Sequence, residues 1–388
     1  MKTVTVLGST GSVGTQTLDI LSGQRDRYAV HALVAGRNYT LLAEQARAFG
    51  AKLAVIADES RHAALAEALA GSGVETACGA PAVVAAAGER VDWTMAAITG
   101  AAGLPATLAA IKRGGAVAFA NKEALICAGD LMLQAVAEAG ATLLPVDSEH
   151  NAIFQAMADG NRDAIESITL TASGGPFRTA TREEMARARP EQALKHPVWS
   201  MGAKISIDSA TMMNKGLEVI EAARLFNLPS AAIAVLIHPQ SVIHGMVHYR
   251  DGSVLAQLGS PDMRVPIAHT LGWPQRLSTP AKRLDLAAVG KLTFEAPDLE
   301  RFPALRLARA ALEAGGGAPC VLNAANEVAV ASFLDRTLGF LDIIAVVNDV
   351  MDSIGGEAAG TLDAVLALDA RARVLAAQAC TRRALAAA

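Results

Sequence analysis

Aromatic side chains are scarce. Phe, Trp and Tyr together make up 4% of the 388 residues, although 52% of the chain is hydrophobic. A core of this composition has to be built from Ala, Val, Ile and Leu, with many close helix contacts. Cysteine is sparse as well. Cys78, Cys127, Cys320 and Cys380 are far apart and form no C-x-x-C pair. In a chain of this size that spacing reads as free thiols in a reducing compartment rather than a disulfide framework, and it argues against a cysteine-held zinc. No excess of positive charge is present. With a formal net charge of −4 the chain has no basic footprint for nucleic acid, and any anion must be met by individual lysines. No uncharged apolar run reaches the roughly 18 residues of a membrane span. The first apolar run, residues 4–7, breaks at Gly8, too early for a secretory signal. A cytoplasmic protein with no nucleic-acid or membrane partner is expected, and its length exceeds that of one ordinary domain.

What is present falls into successive textures. Across residues 1–150 short apolar runs at 4–7, 29–34, 53–56, 93–98 and 116–120 alternate with helical patterns, the first at 15–21 and 41–49. Near-continuous apolar strands between helices predict a parallel sheet covered on both faces, that is, a Rossmann-like α/β domain. Across residues 151–273 the strands read at 168–171, 232–237, 242–249 and 253–258, with helices at 182–188 and 214–226. They predict a central α+β domain with a mostly antiparallel sheet. The Pro-bearing, charged stretch 274–298 reads as a linker. Residues 299–388 carry helical patterns at 304–314, 321–334, 341–354 and 363–385, predicting a C-terminal helical bundle.

The stretch GSTGSVG, from Gly8 to Gly14, follows the first strand and opens a helix. Glycines there let backbone approach a pyrophosphate, and the helix start supplies unpaired N–H groups. The spacing G-x-x-G-x-x-G is less diagnostic than G-x-G-x-x-G, and a plain tight turn is the alternative. After the second strand, Arg37 and Asn38 stand where an acid would select NAD, and no acid follows until Glu44. This favours NADP, with a merely solvated Arg37 as the other possibility.

The richest segment runs from Gly202 to Glu218 and holds two lysines, a Ser-containing turn, Asn214 and an acid. Such a mixture suits a phosphate beside a divalent cation. Asp147 and Glu149, read as i and i+2 on an extended segment after the apolar run 142–146, would point at one ion, and Glu218 would complete its shell. Oxygen ligands without cysteine favour Mg²⁺ or Mn²⁺. A solvated acidic loop and an ordinary surface Lys215–Glu218 pair are the alternatives. Asn121, Lys122 and Glu123 repeat the polar pattern at another strand end. Ser173 opens a glycine turn suited to phosphate, and residues 196–201, with His196 and Trp199, read as a lid over a nicotinamide or a simple packed loop.

With these residues in view, the chain resembles the 1-deoxy-D-xylulose 5-phosphate reductoisomerase family over essentially its whole length. The resemblance rests on GSTGSVG, AGRN, ANKE, VDSEHNAIFQ, TASGGPF, HPVWSMGAKISIDSATMMNKGLE and LNAANE, without departure at a chemical position. It implies an NADPH site lined by Thr10, Gly11, Ser12, Val13, Gly36, Arg37, Asn38, Asn121, Glu123 and Gly202. It also implies a Mg²⁺ or Mn²⁺ site of Asp147, Glu149 and Glu218. Lys122, Ser148, Glu149, Ser173, His196, Ser209, Asn214, Lys215 and Glu218 would meet a sugar phosphate, with Ser173, Ser209, Asn214 and Lys215 nearest its phosphate. Glu149, Lys122 and His196 are the implied catalytic groups, residues 196–201 the flap, and a homodimer the implied assembly. The implied reaction is rearrangement, by retro-aldol and aldol steps or by direct migration, followed by hydride reduction to 2-C-methyl-D-erythritol 4-phosphate.

Two other classes compete. A semialdehyde or dihydrodipicolinate-type reductase shares such an N-terminal loop but needs no metal, and its covalent form needs a nucleophilic cysteine with a His partner. An NADP-binding sensor would leave the three separated acids without purpose. Dependence of turnover on metal separates all three readings.

Overall fold

In the computed structural model, which describes residues 1–157, 162–199 and 201–387, the first apolar run becomes β1 (Lys2–Leu7). It pairs in parallel with β2 (Tyr28–Ala35) on one side and with β5 (Trp93–Ala96) on the other. Outside β2 lie β3 (Leu53–Ile56) and β4 (Glu75–Cys78); outside β5 lie β6 (Ala116–Phe119) and β7 (Thr142–Pro145). The order is β4-β3-β2-β1-β5-β6-β7, with every pairing parallel. Consecutive residues Ala32, Leu33 and Val34 are all buried, as a strand covered on both faces requires. Connections run outward in both directions from β1, so the crevice beyond its C-terminal end is the switch point where open α/β sheets take ligands. The expected Rossmann-like sheet is present. β4 is the strand that sequence reading lacked, because its residues are half-exposed and form no apolar run.

The chain forms two compact units: Met1–Ala124, Asp130–Asn151 and Asp262–Lys282 in the first, and Leu125–Gly129, Ala152–Pro261 and Arg283–Ala388 in the second. These boundaries differ from the segments read in the sequence. The helix Arg264–Gly272 buries Ile267, Ala268 and Leu271 in the core of the first unit. Its last carbonyls accept from that unit's side chains, Trp93 Nε1 on Thr270 O at 3.1 Å and Tyr28 Oη on Leu271 O at 3.1 Å. Helix ends need such partners for their unpaired carbonyls.

In the second unit β8 (Ile165–Ala172), β9 (Ile233–Ile237), β10 (Ile243–Tyr249) and β11 (Val254–Leu258) form a sheet ordered β11-β10-β8-β9. β10 is antiparallel to both neighbours, and β8 and β9 are parallel. The C-terminal helices Ala304–Ala314, Ala318–Leu334, Asp342–Ile354 and Leu362–Ala387 are present as read. They share one core with the sheet, in which Leu170, Leu217 and Ile220 join Val321, Phe333 and Val346. Residues 283–298, read as linker, are held to this unit. Glu295 bridges Ile237, Phe294 stacks on His238 at 4.8 Å, and His238 Nδ1 meets Thr293 O at 2.9 Å.

Candidate active site

In the first unit the glycine loop is set by backbone packing. Gly8 has φ +87°, and a Cβ there would lie 2.6 Å from Ala97 O. A Cβ on Gly14 would lie 2.2 Å from Gly8 O. Thr10 and Gly11 form the turn, and Ser12 and Val13 start the helix Ser12–Ser22, which has Gly11 at its N-cap and no side-chain cap. First-turn N–H groups facing a crevice with a favourable dipole suit a pyrophosphate.

Gly36 and Arg37 follow β2 directly. The Arg37 side chain is 78% exposed, and its Nε donates to Asp58 Oδ2 at 3.0 Å. Asp58 Oδ1 accepts from Ser60 Oγ at 2.6 Å and Ser60 N at 3.1 Å. The Ser60 hydroxyl first, and then backbone N–H and Arg37, hold the Asp58 carboxyl below the usual carboxylate range. Asn38 caps the helix Tyr39–Phe49 through Leu41 N.

Asn121 is buried and engaged at both ends of its amide. Its Oδ1 accepts from Ala124 N at 3.2 Å, and its Nδ2 donates to Gly100 O at 3.2 Å. It thereby caps the helix Lys122–Ala139, whose first turn holds Lys122 and half-buried Glu123. Lys122 Nζ stands 2.7 Å from Asp147 Oδ2. Asp147 does not continue the strand as an extended segment, and this corrects the i, i+2 reading. Its Oδ1 accepts from Glu149 N at 3.1 Å and lies 3.0 Å from His150 Nδ1, so it caps the helix Ser148–Ala156. Asp followed by Ser and Glu is an N-cap signal. Asp147, Ser148 and Glu149 are therefore gathered around one helix start, and Ser148 Oγ donates to Glu149 Oε2 at 2.7 Å.

One turn on, Asn151 Nδ2 reaches His269 Nδ1 at 3.1 Å. Burial first, with Arg276 adding to it, pushes the His269 pKa down to about 4, so this ring is a neutral acceptor. Sequence reading gave no role to Asp58, His150 or His269. Asp58 alone had a local signal, as the acid closing the run after β3.

In the second unit Ser173 follows β8 directly, at a turn whose geometry needs glycine. Gly175 has φ +67°, and a Cβ there would lie 2.6 Å from Ser209 O, so the turn backs directly onto Ser209. Ser173 Oγ accepts from Gly175 N at 3.1 Å and lies 2.8 Å from His196 Nε2. His196 Nδ1 accepts from Trp199 N at 2.8 Å and Val198 N at 3.2 Å. The ring proton therefore sits on Nε2, facing Ser173. Burial pushes the His196 pKa down. The Trp199 ring lies 6.1 Å from that of His244. Of the expected flap, Ser200 lies outside the described residues.

Gly202 is the exposed N-cap of the helix Ala203–Ala210, which carries Ser209. Thr211 and Met212 turn the chain into the helix Met213–Phe226. There Asn214 Nδ2 donates to Glu218 Oε1 at 2.5 Å, and Lys215 Nζ pairs with Glu218 Oε2. Lys215 is 3% and Glu218 1% exposed, which removes the alternative of an ordinary surface pair. Desolvating such a pair is costly unless further hydrogen bonds satisfy it, and Asn214 supplies one to Glu218.

Residues 4–129 match the family described as 1-deoxy-D-xylulose 5-phosphate reductoisomerase, residues 143–226 its C-terminal domain family, and residues 258–375 the DXP reductoisomerase C-terminal domain. The chain is 62% identical to the 1-deoxy-D-xylulose 5-phosphate reductoisomerase of Gluconobacter oxydans over 374 residues, covering 96% of this chain and 92% of that protein. It is 59% identical to that of Zymomonas mobilis, covering 97% of each. Its fold is similar to a solved Zymomonas mobilis reductoisomerase in complex with NADPH, with TM-score 0.93, 57% identity and coverage of 98% and 99%. A DOX-P reductoisomerase in complex with NADPH, fosmidomycin and magnesium gives TM-score 0.94 at 41% identity, covering 98% of each chain.

Proposed function

The chain belongs to the 1-deoxy-D-xylulose 5-phosphate reductoisomerase family, and from that premise we propose which of its residues carry the reaction. It converts 1-deoxy-D-xylulose 5-phosphate to 2-C-methyl-D-erythritol 4-phosphate with NADPH and a divalent metal, a step toward isoprenoid precursors. The observation that carries this is 62% identity maintained over 96% of the chain.

NADPH supplies the hydride when bound, and most of the residues proposed for it lie in the first unit. Thr10, Gly11, Ser12 and Val13 would receive its pyrophosphate, and Gly36, Arg37 and Asn38 its 2′-phosphorylated ribose. Asn121, Glu123 and Gly202 would line the remainder. The oxygen-only set Asp147, Glu149 and Glu218 suits a hard cation. Magnesium or manganese held there would polarise the substrate's carbonyl and adjacent hydroxyl oxygens.

This chain's own groups supply the rest. Ser173, Ser209, Asn214 and Lys215 would grip the phosphate, so that remote binding energy orients the reacting carbons. Lys122 and Ser148 would hold the substrate's oxygens beside Asp147 and Glu149. Glu149 would move the proton as the carbon skeleton rearranges. His196, donating from Nε2, would steady the substrate while residues 196–201 exclude water.

A homodimer accounts for β11. Val254, Leu255 and Leu258 on this edge strand are 48%, 46% and 36% exposed, and its outer edge pairs with no strand among the described residues. An apolar edge of this kind invites a second copy. The cytoplasm is the proposed compartment. Phosphorus and carbon NMR of the product tests the reaction: a branched polyol phosphate is expected, and an unbranched one would mean reduction without rearrangement.

A further inference from the structure

The motif LNAANE, Leu322 to Glu327, has no task in the reaction just described, yet its asparagines Asn323 and Asn326 are both fully buried. Asn323 Nδ2 donates to Glu327 Oε1 at 3.0 Å on its own helix and also lies 3.7 Å from Cys127 Sγ. Asn326 Nδ2 donates to the carboxylate of Asp208, at Oδ1 and 2.7 Å. Asp208 is itself 1% exposed. Its Oδ2 lies 2.8 Å from Lys204 Nζ, one turn back along the helix Ala203–Ala210. A carboxylate taken out of water persists only when paired and hydrogen-bonded. Here a cation from its own helix and an amide from another do both.

The position of this carboxylate matters more than its burial. Asp208 immediately precedes Ser209, and its carbonyl accepts from Thr211 Oγ1 at 3.2 Å. Met212 then takes φ 64°, a left-handed conformation that is uncommon without glycine, and the helix carrying Asn214 and Lys215 begins. Ser209 and the Asn214–Lys215 pair thus occupy two arms of a tight corner.

The second arm is fixed by its own contacts. A Cβ on Gly216 would lie 2.7 Å from Ala308 Cβ. Further along, Arg224 donates to Leu125 O and, at 2.6 Å, to Ile126 O, just before the backbone departs from helical geometry at Ala128. The first arm is eight residues long and has no side-chain cap. Gly175 backs onto it at Ser209 O, and Asn326 holds it at Asp208.

We propose that Asn326, acting through Asp208, is a positioning residue for phosphate recognition, fixing Ser209 relative to Asn214 and Lys215. The proposal rests on the reading of Ser209 as a phosphate contact. Asn326 touches no substrate. Its loss leaves Asp208 with one of its two side-chain donors among the described residues and loosens the arm, so phosphate binding energy no longer orients the sugar.

The test compares Asn326→Leu with the unsubstituted full chain on two substrates: 1-deoxy-D-xylulose 5-phosphate and 1-deoxy-D-xylulose, which lacks the phosphate. Saturating NADPH and magnesium are used for both. The proposal expects kcat/KM to fall about 30-fold on the phosphorylated sugar and to stay within about 3-fold on the truncated one. Equal losses on both would mean that the bond only supports the fold, and no loss on either would mean that it positions nothing; both overturn the proposal. Ser209→Ala, run in parallel, should lower the same preference for the phosphorylated sugar. If it does not, the phosphate reading of Ser209 fails, and the proposal with it. If it does while Asn326→Leu loses equally on both sugars, only the positioning role fails. Should Asn326→Leu not fold, Asn326→Ser, which keeps a donor but not the reach, carries the same comparison.

Discussion

Ser173 Oγ and His196 Nε2 stand 2.8 Å apart, and the other nitrogen of that ring already accepts the backbone N–H of Trp199 at 2.8 Å. A proton added at Nδ1 would face that N–H and the one of Val198, so the neutral ring and this loop conformation go together. Burial depresses the folded pKa of His196 below its ordinary 6.5. The unfolded chain therefore takes up the proton first. The stabilisation from the neutral ring is complete above the ordinary value and is lost as pH falls through the lower folded one. Acidification through that window should raise KM for the sugar phosphate while leaving NADPH affinity flat. His196→Gln should flatten the KM profile, and an unchanged acid limb in that variant contradicts the assignment.

Arg37 presents a mostly exposed guanidinium whose Nε edge is taken by Asp58. Its two terminal nitrogens are the groups proposed to meet a 2′-phosphate. Arg37→Glu should weaken NADPH by about 100-fold and NADH by only a few-fold. Fluorescence titration with both cofactors checks this, and equal losses would mean that Arg37 does not read the phosphate.

Glu218 is buried beside Lys215 and Asn214. Glu218→Gln keeps the shape and removes the charge, so turnover should fall by at least about 100-fold with NADPH affinity unchanged. Magnesium titration of that variant should show activation shifted to higher metal concentration. Normal turnover at limiting metal removes Glu218 from the ligand set.

The exposed side chains of β11 give the assembly prediction. Leu255→Lys puts a charge on this edge strand and should shift the proposed dimer toward monomer in light scattering. A stable dimer in that variant would place the interface on a different surface.

Much of this was legible in the sequence because its signals are local. GSTGSVG sits between β1 and a helix, and Gly8 and Gly14 are required there by the backbone contacts their spacing creates. The apolar strands of the first sheet are continuous, and the acids, lysines and serines of the site fall within short motifs. What escaped was tertiary or partly local. The apolar run before Asp147 masked an N-cap, so an extended segment was read where a helix begins. Tyr28 and Trp93 hold the helix Arg264–Gly272 from 243 and 177 residues away, a distance over which no pattern speaks. The Asp208–Asn326 bond spans 118 residues, and each partner alone reads as an ordinary polar residue on a helix.

Loss of NADPH absorbance with 1-deoxy-D-xylulose 5-phosphate, measured with magnesium or manganese and again after EDTA, tests the central claim most directly. The account predicts oxidation that requires both the sugar phosphate and the metal. Oxidation that survives complete metal removal, or folded NADPH-binding protein that oxidises nothing, would contradict it.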